Sequence, residues 1–235
     1  MGGTKMKKPY VSIIIPLYNP KKQLLEKIIK EIKCQKGKLQ FEVIKIKGDR
    51  GLANAYNQGI RKSKGEIIIT LHQDCMPLEK NSITKLINPF RDEKVVLVYS
   101  WVMEKDEKRK YYPFAPDGKF TAFRKSALEE VGLFNEIVFF TGGEDVDMWL
   151  KLKKIGKIVQ VKTGILHIHP NYKGNKTIEK RRQNGSINGA LTKIWGIRNP
   201  KWFKSILLCF IFPFSYGKEY IKAYISGKQT YRRKE

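Results

Sequence analysis

Cysteine is scarce in this 235-residue chain: there are three, Cys34, Cys75 and Cys209, scattered with no paired spacing. That excludes a disulfide framework and a cysteine-built zinc site, and it fits a reduced, cytosolic chain. Histidine is equally scarce, with three residues. No low-complexity tract and no internal repeat interrupts the sequence. No apolar run reaches the ~20 residues of a spanning helix. The run Ile206–Phe212 is about half that, and Pro213 ends it. The Lys-rich N-terminus enters a strand directly, without the apolar core of a signal peptide. Met6 stands where a myristoylation signal wants Ser or Thr, so neither export nor lipidation is expected. Acidic residues run short in one place only: residues 1–150 hold 27 basic and 19 acidic side chains, whereas residues 151–235 hold 20 and 3. The C-terminal third is therefore expected to face something anionic: a membrane surface, a nucleic acid or a phosphorylated substrate.

What is present is enough for one large domain and a small appendage. The chain is 41% hydrophobic, and its apolar residues are patterned. Val11–Ile15 is a buried strand bounded by Pro9 and Pro16. Pro20 opens a helix with Leu24, Leu25, Ile28, Ile29 and Ile32 on one face. Phe41–Ile46 is a second strand, Gly51–Lys64 a helix, and Glu66–Leu71 a third strand. Asn81–Phe90 suggests a further helix and Val95–Val102 a fourth strand. This alternation predicts parallel βαβ units, a nucleotide-binding α/β half. Residues 103–119, with Pro113 and Pro116, read as a loop. Ser126-Ala127-Leu128-Glu129 reads as a capping box opening a helix that Gly132 stops. Glu144–Ile155 is a helix closed by Gly156, and Ile158–Val161 a short strand.

The third strand breaks into polar residues and finishes on a carboxylate, in Leu71-His72-Gln73-Asp74. Open α/β sheets bind ligands at the carboxyl ends of their strands. A carboxylate there is placed to hold a divalent cation against a diphosphate. Glu144-Asp145 opens a helix after Thr141-Gly142-Gly143. Capping needs one carboxylate, so the second is available for chemistry.

Five blocks then fall in one order: VSIIIPLYN (11–19), GLANAYNQG (51–59), GEIIITLHQD (65–74), FTAFRKSALEEVGLF (120–134) and GEDVDMWLKL (143–152). Their order and spacing resemble the family-2 glycosyltransferases over roughly residues 9–170. The resemblance implies an α/β GT-A (Rossmann-like) fold with a mixed, mostly parallel sheet flanked by helices. It divides residues 1–170 into a nucleotide half (9–102) and an acceptor half (103–170). Residues 171–235 are left as a basic, aromatic, helical extension. The activity implied is inverting transfer of a sugar from a nucleotide-sugar donor to a hydroxyl.

On that resemblance the donor side comprises Pro16, Tyr18, Asn19, Asp49, Arg50, Asn57, His72, Gln73 and Asp74. Asp74 stands at the last position of the family's Asp-x-Asp element, with His72 at the first. A Mn²⁺ or Mg²⁺ ion is implied at Asp74, and the substitution puts strict metal dependence in doubt. His167 and His169 alternate on a late strand, and His169 is a second candidate metal ligand. The acidic pair implies a general base, Asp145 ahead of Glu144, because an alcohol must lose its proton as it attacks. Asp147 turns away and is expected to be structural. Trp149 and Leu152 read as core. Trp101 and Gly143 are the acceptor candidates. The 195–235 segment is expected to rest on the inner face of the cell membrane, which points to a lipid-linked or envelope glycan acceptor. Two rivals stay open. One is a degenerate relative that only binds sugar nucleotide, because of His72. The other is a nucleic-acid-binding protein, for which the charge speaks but no recognition motif does. A sugar-phosphate nucleotidyltransferase would need a Gly-rich basic first loop, and Pro16-Leu17-Tyr18-Asn19 is nothing like it.

Overall fold

The structure is a computed structural model that describes residues 10–37, 40–104, 109–111, 115–168 and 177–226. Eight strands form one sheet: β1 (Val11–Leu17), β2 (Phe41–Lys47), β3 (Ile67–Leu71), β4 (Cys75–Pro77), β5 (Val95–Glu104), β6 (Arg109–Tyr111), β7 (Phe120–Arg124) and β8 (Lys157–His167). Their order is β2-β1-β3-β7-β5-β8-β4, with β6 on β5. β1 runs parallel to β2 and β3, and β5 parallel to β8. β7 enters antiparallel between β3 and β5, so β5 and β8 regain the direction of the first three strands. Five strands therefore deliver their carboxyl ends to one edge, and β4, β6 and β7 run the other way.

Alternation along the strands sends side chains to two cores. Ile13, Ile15, Ile67 and Ile69 meet α1 (Lys22–Lys33) and α3 (Ser82–Ile87) through Ile28, Ile32, Ile83 and Leu86. Ile14 and Ile68 face the other way, onto Ala53, Tyr56 and Ile60 of α2 (Leu52–Lys62). Leu128 of α4 (Lys125–Glu130) and Met148 and Leu152 of α5 (Glu144–Leu152) join that second core. Period-two strands buried on both faces read as continuous apolar runs, which is why β1 and β3 stood out in the sequence.

Four expectations are corrected. Ser126 does not cap: the chain leaves β7 directly into α4, Arg124 is the N-cap, and no side chain caps that end. Residues 109–111 are a strand, paired with β5, inside the stretch read as loop. The helix expected over Asn81–Phe90 is a six-residue α-helix continued by a 3₁₀ turn, Asn88–Arg91. The strand expected over Ile158–Val161 extends through His167.

Helix α6 (Ile178–Trp195) lies along the loop before α5. A Cβ on Gly142 would sit 2.7 Å from Ile187 Cδ1, and one on Gly143 2.9 Å from Ile187 Cγ2. Both glycines also have positive φ, so the loop takes this shape only without side chains. Trp195 Nε1–H donates to Asp147 Oδ1 at 2.8 Å, and Lys151 Nζ lies 3.0 Å from Oδ2, which confirms Asp147 as structural. Helices α7 (Trp202–Ile211) and α8 (Lys218–Ser226) follow, joined by a π-helical turn, Pro213–Gly217.

Candidate active site

The carboxyl edge of the sheet carries a cleft of about 230 Å³. Pro16 and Tyr18 reach it from the end of β1, Gly48 from the end of β2, and His72, Gln73 and Asp74 from the end of β3. Gly51 and Leu52 open α2 beneath it, and Phe140 and Thr141 form the facing wall. Gln73 holds the floor together: its side-chain amide accepts from Tyr18 N–H at 2.8 Å and donates to Tyr18 C=O at 2.7 Å. A side chain thus supplies a missing strand partner between two strand ends. Gly51 sets the facing wall: its φ is +93°, and a Cβ there would lie 2.3 Å from the Phe140 carbonyl oxygen. The bare backbone lets Leu52 N–H donate to that carbonyl at 3.0 Å. The wall that leads to the acidic pair is therefore stitched to the nucleotide half.

The other expected donor residues lie at different places. Asn19 has a positive φ of 43° just beyond Tyr18. Asp49 and Arg50 occupy the exposed turn between Gly48 and Gly51. Asn57 does not face the cleft: it is buried, and its amide donates to Phe134 C=O at 2.9 Å and accepts from Phe134 N–H at 3.0 Å. It is a structural staple for the segment before the acidic loop. Trp101, expected to offer a stacking face, is 8% exposed, and its ring lies against Gly164 of β8. Gly143 is the buried left-handed N-cap of α5. His169 lies outside the described residues.

His167 arrives by register: Cys75 of β4 and Glu104 of β5 both pair with it. Its Nε2 lies 3.5 Å from Asp74 Oδ2, and its Nδ1 is 2.7 Å from Glu104 Oε2. Burial opposes charge on both partners. For Asp74 the His167 hydrogen bond and the two imidazoles outweigh it and hold the carboxyl below its ordinary range. For His167 the Asp74 carboxylate outweighs it and raises the imidazole. His72 goes the other way: burial first and Lys119 second push it down to about 4, so the ring is neutral. Its Nε2 is buried without a hydrogen-bond partner. His72, Asp74 and Cys75 offer ligand atoms within 4.8 Å of one another. Burial, then Asp74, raises the Cys75 thiol well above its usual value, so it stays protonated. A carboxylate beside neutral imidazole nitrogen is a donor set that fits a divalent cation, and nitrogen suits Mn²⁺ better than Mg²⁺.

The second acidic group is built on α5. Glu144 is 2% exposed, while Asp145 keeps some solvent access and accepts from Val146 N–H at 2.8 Å. Burial, then repulsion from Asp145, pushes Glu144 up to about 8, so near neutral pH it holds a proton. Burial, then Asp117, also raises Asp145. Asp117 and Lys119 were missed in the sequence, where they sat inside a presumed loop. Lys119 Nζ lies 2.6 Å from Asp117 Oδ2, and Lys119 C=O accepts from His72 N–H at 3.2 Å. Tyr56 O–H donates to Gly118 C=O at 3.1 Å, and a Cβ on Gly118 would lie 3.9 Å from Asp145 Cβ. The turn Asp117-Gly118-Lys119 therefore links the His72–Asp74 end to the Asp145 end.

A mixed sheet led by parallel strands, with Asp74 in a cleft at its carboxyl edge and an acidic pair, Glu144-Asp145, just beyond the Phe140-Thr141 lining, is the GT-A glycosyltransferase architecture. Residues 25–200 match the sequence profile of glycosyl transferase family 2, and the chain belongs to that family: it is a glycosyltransferase. No curated protein matches the sequence at a significant level. Solved structures with the same fold include the mannosyltransferase PcManGT from Pyrobaculum calidifontis, in complex with GDP-Man and Mn²⁺. It superposes with a TM-score of 0.64 at 17% identity, over 94% of this chain and 74% of that one. GalNAc-T7, with UDP, GalNAc and Mn²⁺, gives 0.63 at 14% over 94% of this chain, which spans only 55% of its length. The catalytic domain of Drosophila β1,4-galactosyltransferase 7, with xylobiose, gives 0.56 at 12% over 70% and 72% of the two chains. At these identities the likeness is one of fold.

Proposed function

We propose that the chain transfers a sugar from a nucleotide-sugar donor to an alcohol with inversion at the anomeric carbon. The observation that carries the reading is the cleft at the carboxyl edge of the sheet. Asp74 is on one wall, and the opposite wall, Phe140-Thr141, runs directly into Glu144-Asp145. Tyr18 and the ends of β1 and β2 would hold the nucleoside. Asp74, with His72 and His167, would hold a divalent cation; bound there, it would neutralise charge building on the departing diphosphate. The fold neighbours solved with Mn²⁺ and a nucleotide or nucleotide sugar support this assignment by analogy.

Asp145 would act as the base. The acceptor oxygen forms its bond to the anomeric carbon from the face opposite the diphosphate. The carbon–oxygen bond to the diphosphate breaks, and that electron pair leaves with the nucleoside diphosphate. The acceptor proton passes to the Asp145 carboxylate. Glu144, protonated and closing the turn before α5, would leave Asp145 as the ionised member of the pair.

The test begins with nucleoside diphosphates. A thermal-shift panel with and without Mn²⁺ should show a Mn²⁺-dependent stabilisation by at least one diphosphate, lost in Asp74→Asn. Stabilisation by none, or one that Asp74→Asn leaves intact, removes the donor-site reading. A catalytically degenerate binder would show the stabilisation but no turnover of the matching nucleotide sugar with any alcohol. The lipid-linked acceptor and a place on the inner face of the membrane belong to this proposal too, and the C-terminal helices give them a physical basis.

A further inference from the structure

Helix α7 packs one side against α6 and the Pro213–Gly217 turn and leaves its other face in solvent. Of its ten residues only Ser205 is buried. Phe203 and Phe210 are 75% and 80% exposed, Leu207 and Ile211 are more than half exposed, and Phe214, just after Pro213, is 88% exposed. Lone exposed apolar side chains are ordinary, but a contiguous patch of this kind marks an interaction. Among the described residues no element packs over it.

The charges around the patch decide what covers it. Lys193, Arg198, Lys201 and Lys204 precede or enter α7, Lys218 and Lys222 follow it, and all six are exposed. Between residues 180 and 226 the sole acidic residue is Glu219. A second copy of the chain would bring the same cationic rim to the interface, and the two would repel. A nucleic acid would meet the lysines but would leave the phenylalanines in water. An anionic bilayer satisfies both parts: the apolar face enters the acyl boundary while the lysines stay at the phosphate level. At ten residues α7 is about 15 Å long. No helix among the described residues is long and apolar enough to cross a membrane.

We infer that α7 together with Phe214 is a monotopic anchor, lying in the headgroup region of an anionic bilayer. The anchor stands on these side chains alone; its consequence for substrate rests on the glycosyltransfer reading. Helix α6 ties the anchor to the reaction centre through the Trp195–Asp147 bond. Lys201, at the N-cap of α7, is among the charges that reach Asp145 and lower it, against burial and Asp117. The anchor is thus joined to α5 through α6, and the acceptor it selects is an alcohol carried on a lipid, delivered along the membrane plane.

Co-sedimentation of the full chain with vesicles tests this. Wild type should bind phosphatidylglycerol–phosphatidylcholine vesicles at low salt, and bind pure phosphatidylcholine more weakly. The double variant Phe210→Ser/Phe214→Ser should bind about a hundredfold more weakly, roughly tenfold for each phenylalanine withdrawn from the boundary. In the wild type, brominated lipid should quench tryptophan fluorescence, and Trp202→Phe should remove most of that quenching; this measurement needs no folded phenylalanine variant. Absence of vesicle binding, or binding indifferent to both phenylalanines, overturns the anchor. So does a wild-type dimer in solution that the double variant dissolves, since a second copy then covers the face. The nucleoside diphosphate panel separates the two readings: no Mn²⁺-dependent stabilisation by any diphosphate beside intact vesicle binding sinks the transferase mechanism and leaves the anchor standing.

Discussion

Asp74 and Asp145 are the same side chain in opposite surroundings. Asp74 ends a strand run among imidazoles, and its carboxyl is held below the ordinary range. Asp145 opens a helix beside two other carboxyl groups, Glu144 and Asp117, and its carboxyl is held above that range. A carboxylate that stays ionised and seldom picks up a proton suits a cation and a diphosphate. One with raised proton affinity suits taking a proton from an alcohol. On the proposed function the difference between the two carboxyl groups is a division of labour, and it can be attacked from either side.

The largest expected effect comes from removing the proton acceptor. Asp145→Asn keeps the size of the side chain and its acceptance from Val146 N–H. It should lower kcat by about 10²–10⁴-fold and leave Mn²⁺-dependent nucleotide binding unchanged. Asp74→Asn should do the reverse, with nucleotide binding and its metal dependence lost first. If the two variants behave alike in both the binding and the turnover measurement, the contrast between the walls is wrong. Glu144→Gln should be mild by comparison, because Glu144 already carries its proton near neutral pH.

How much of this was legible in the sequence follows from how local each cause is. β1, β3 and their polar ends were legible because strands buried on both faces leave uninterrupted apolar runs. The helix opening at Glu144 was legible from two glycines followed by an acidic pair. Asn57 was misplaced, because what occupies its amide is the backbone of Phe134, 77 residues away. His167 was passed over in favour of His169, because only the pairing of β8 with Cys75 and Glu104 brings His167 to Asp74. β8 was cut short, since its first half is partly exposed and lysine-bearing and lacks the apolar signature of its buried second half. Asp117 and Lys119 went unread for a related reason: β7 inserts antiparallel in the sheet, and only that brings the turn before it under His72. An Asp-Gly turn two residues before an apolar strand was the available signal.

A smaller effect sharpens the comparison through pH. Asp145 is raised by burial and then by Asp117, and Lys119 opposes them. As pH falls, Asp145 is protonated and can no longer accept the acceptor's proton, so kcat/KM should fall on the acid side at a pH above the ordinary carboxylate range. Asp117→Asn removes the repulsion and releases Lys119 from its partner. Both changes favour the ionised form of Asp145. The acid limb should therefore move to lower pH in that variant, and a limb that moves upward or stays fixed separates Asp117 from the base. Because Lys119 C=O also accepts from His72 N–H, the nucleotide affinity of the same variant should be recorded; a pure electrostatic role leaves it unchanged.

The smallest effect asks whether the floor of the cleft is shaped by Gln73. Its amide makes two hydrogen bonds to the Tyr18 backbone on the exposed rim. Net worth for such bonds is about 0.5–1.5 kcal/mol each. Gln73→Ala should therefore cost little in thermal stability. It should cost more in nucleotide affinity, roughly threefold to tenfold for one of those bonds, because Tyr18 loses its fixed backbone while Asp74 and its imidazoles stay in place. Metal dependence should survive at the weaker affinity. Equal losses in stability and affinity would mean that Gln73 holds the fold and not the site. Loss of the metal dependence as well would mean that the two strand ends are not separable, and that the Asp74 wall is built by β1 as much as by β3.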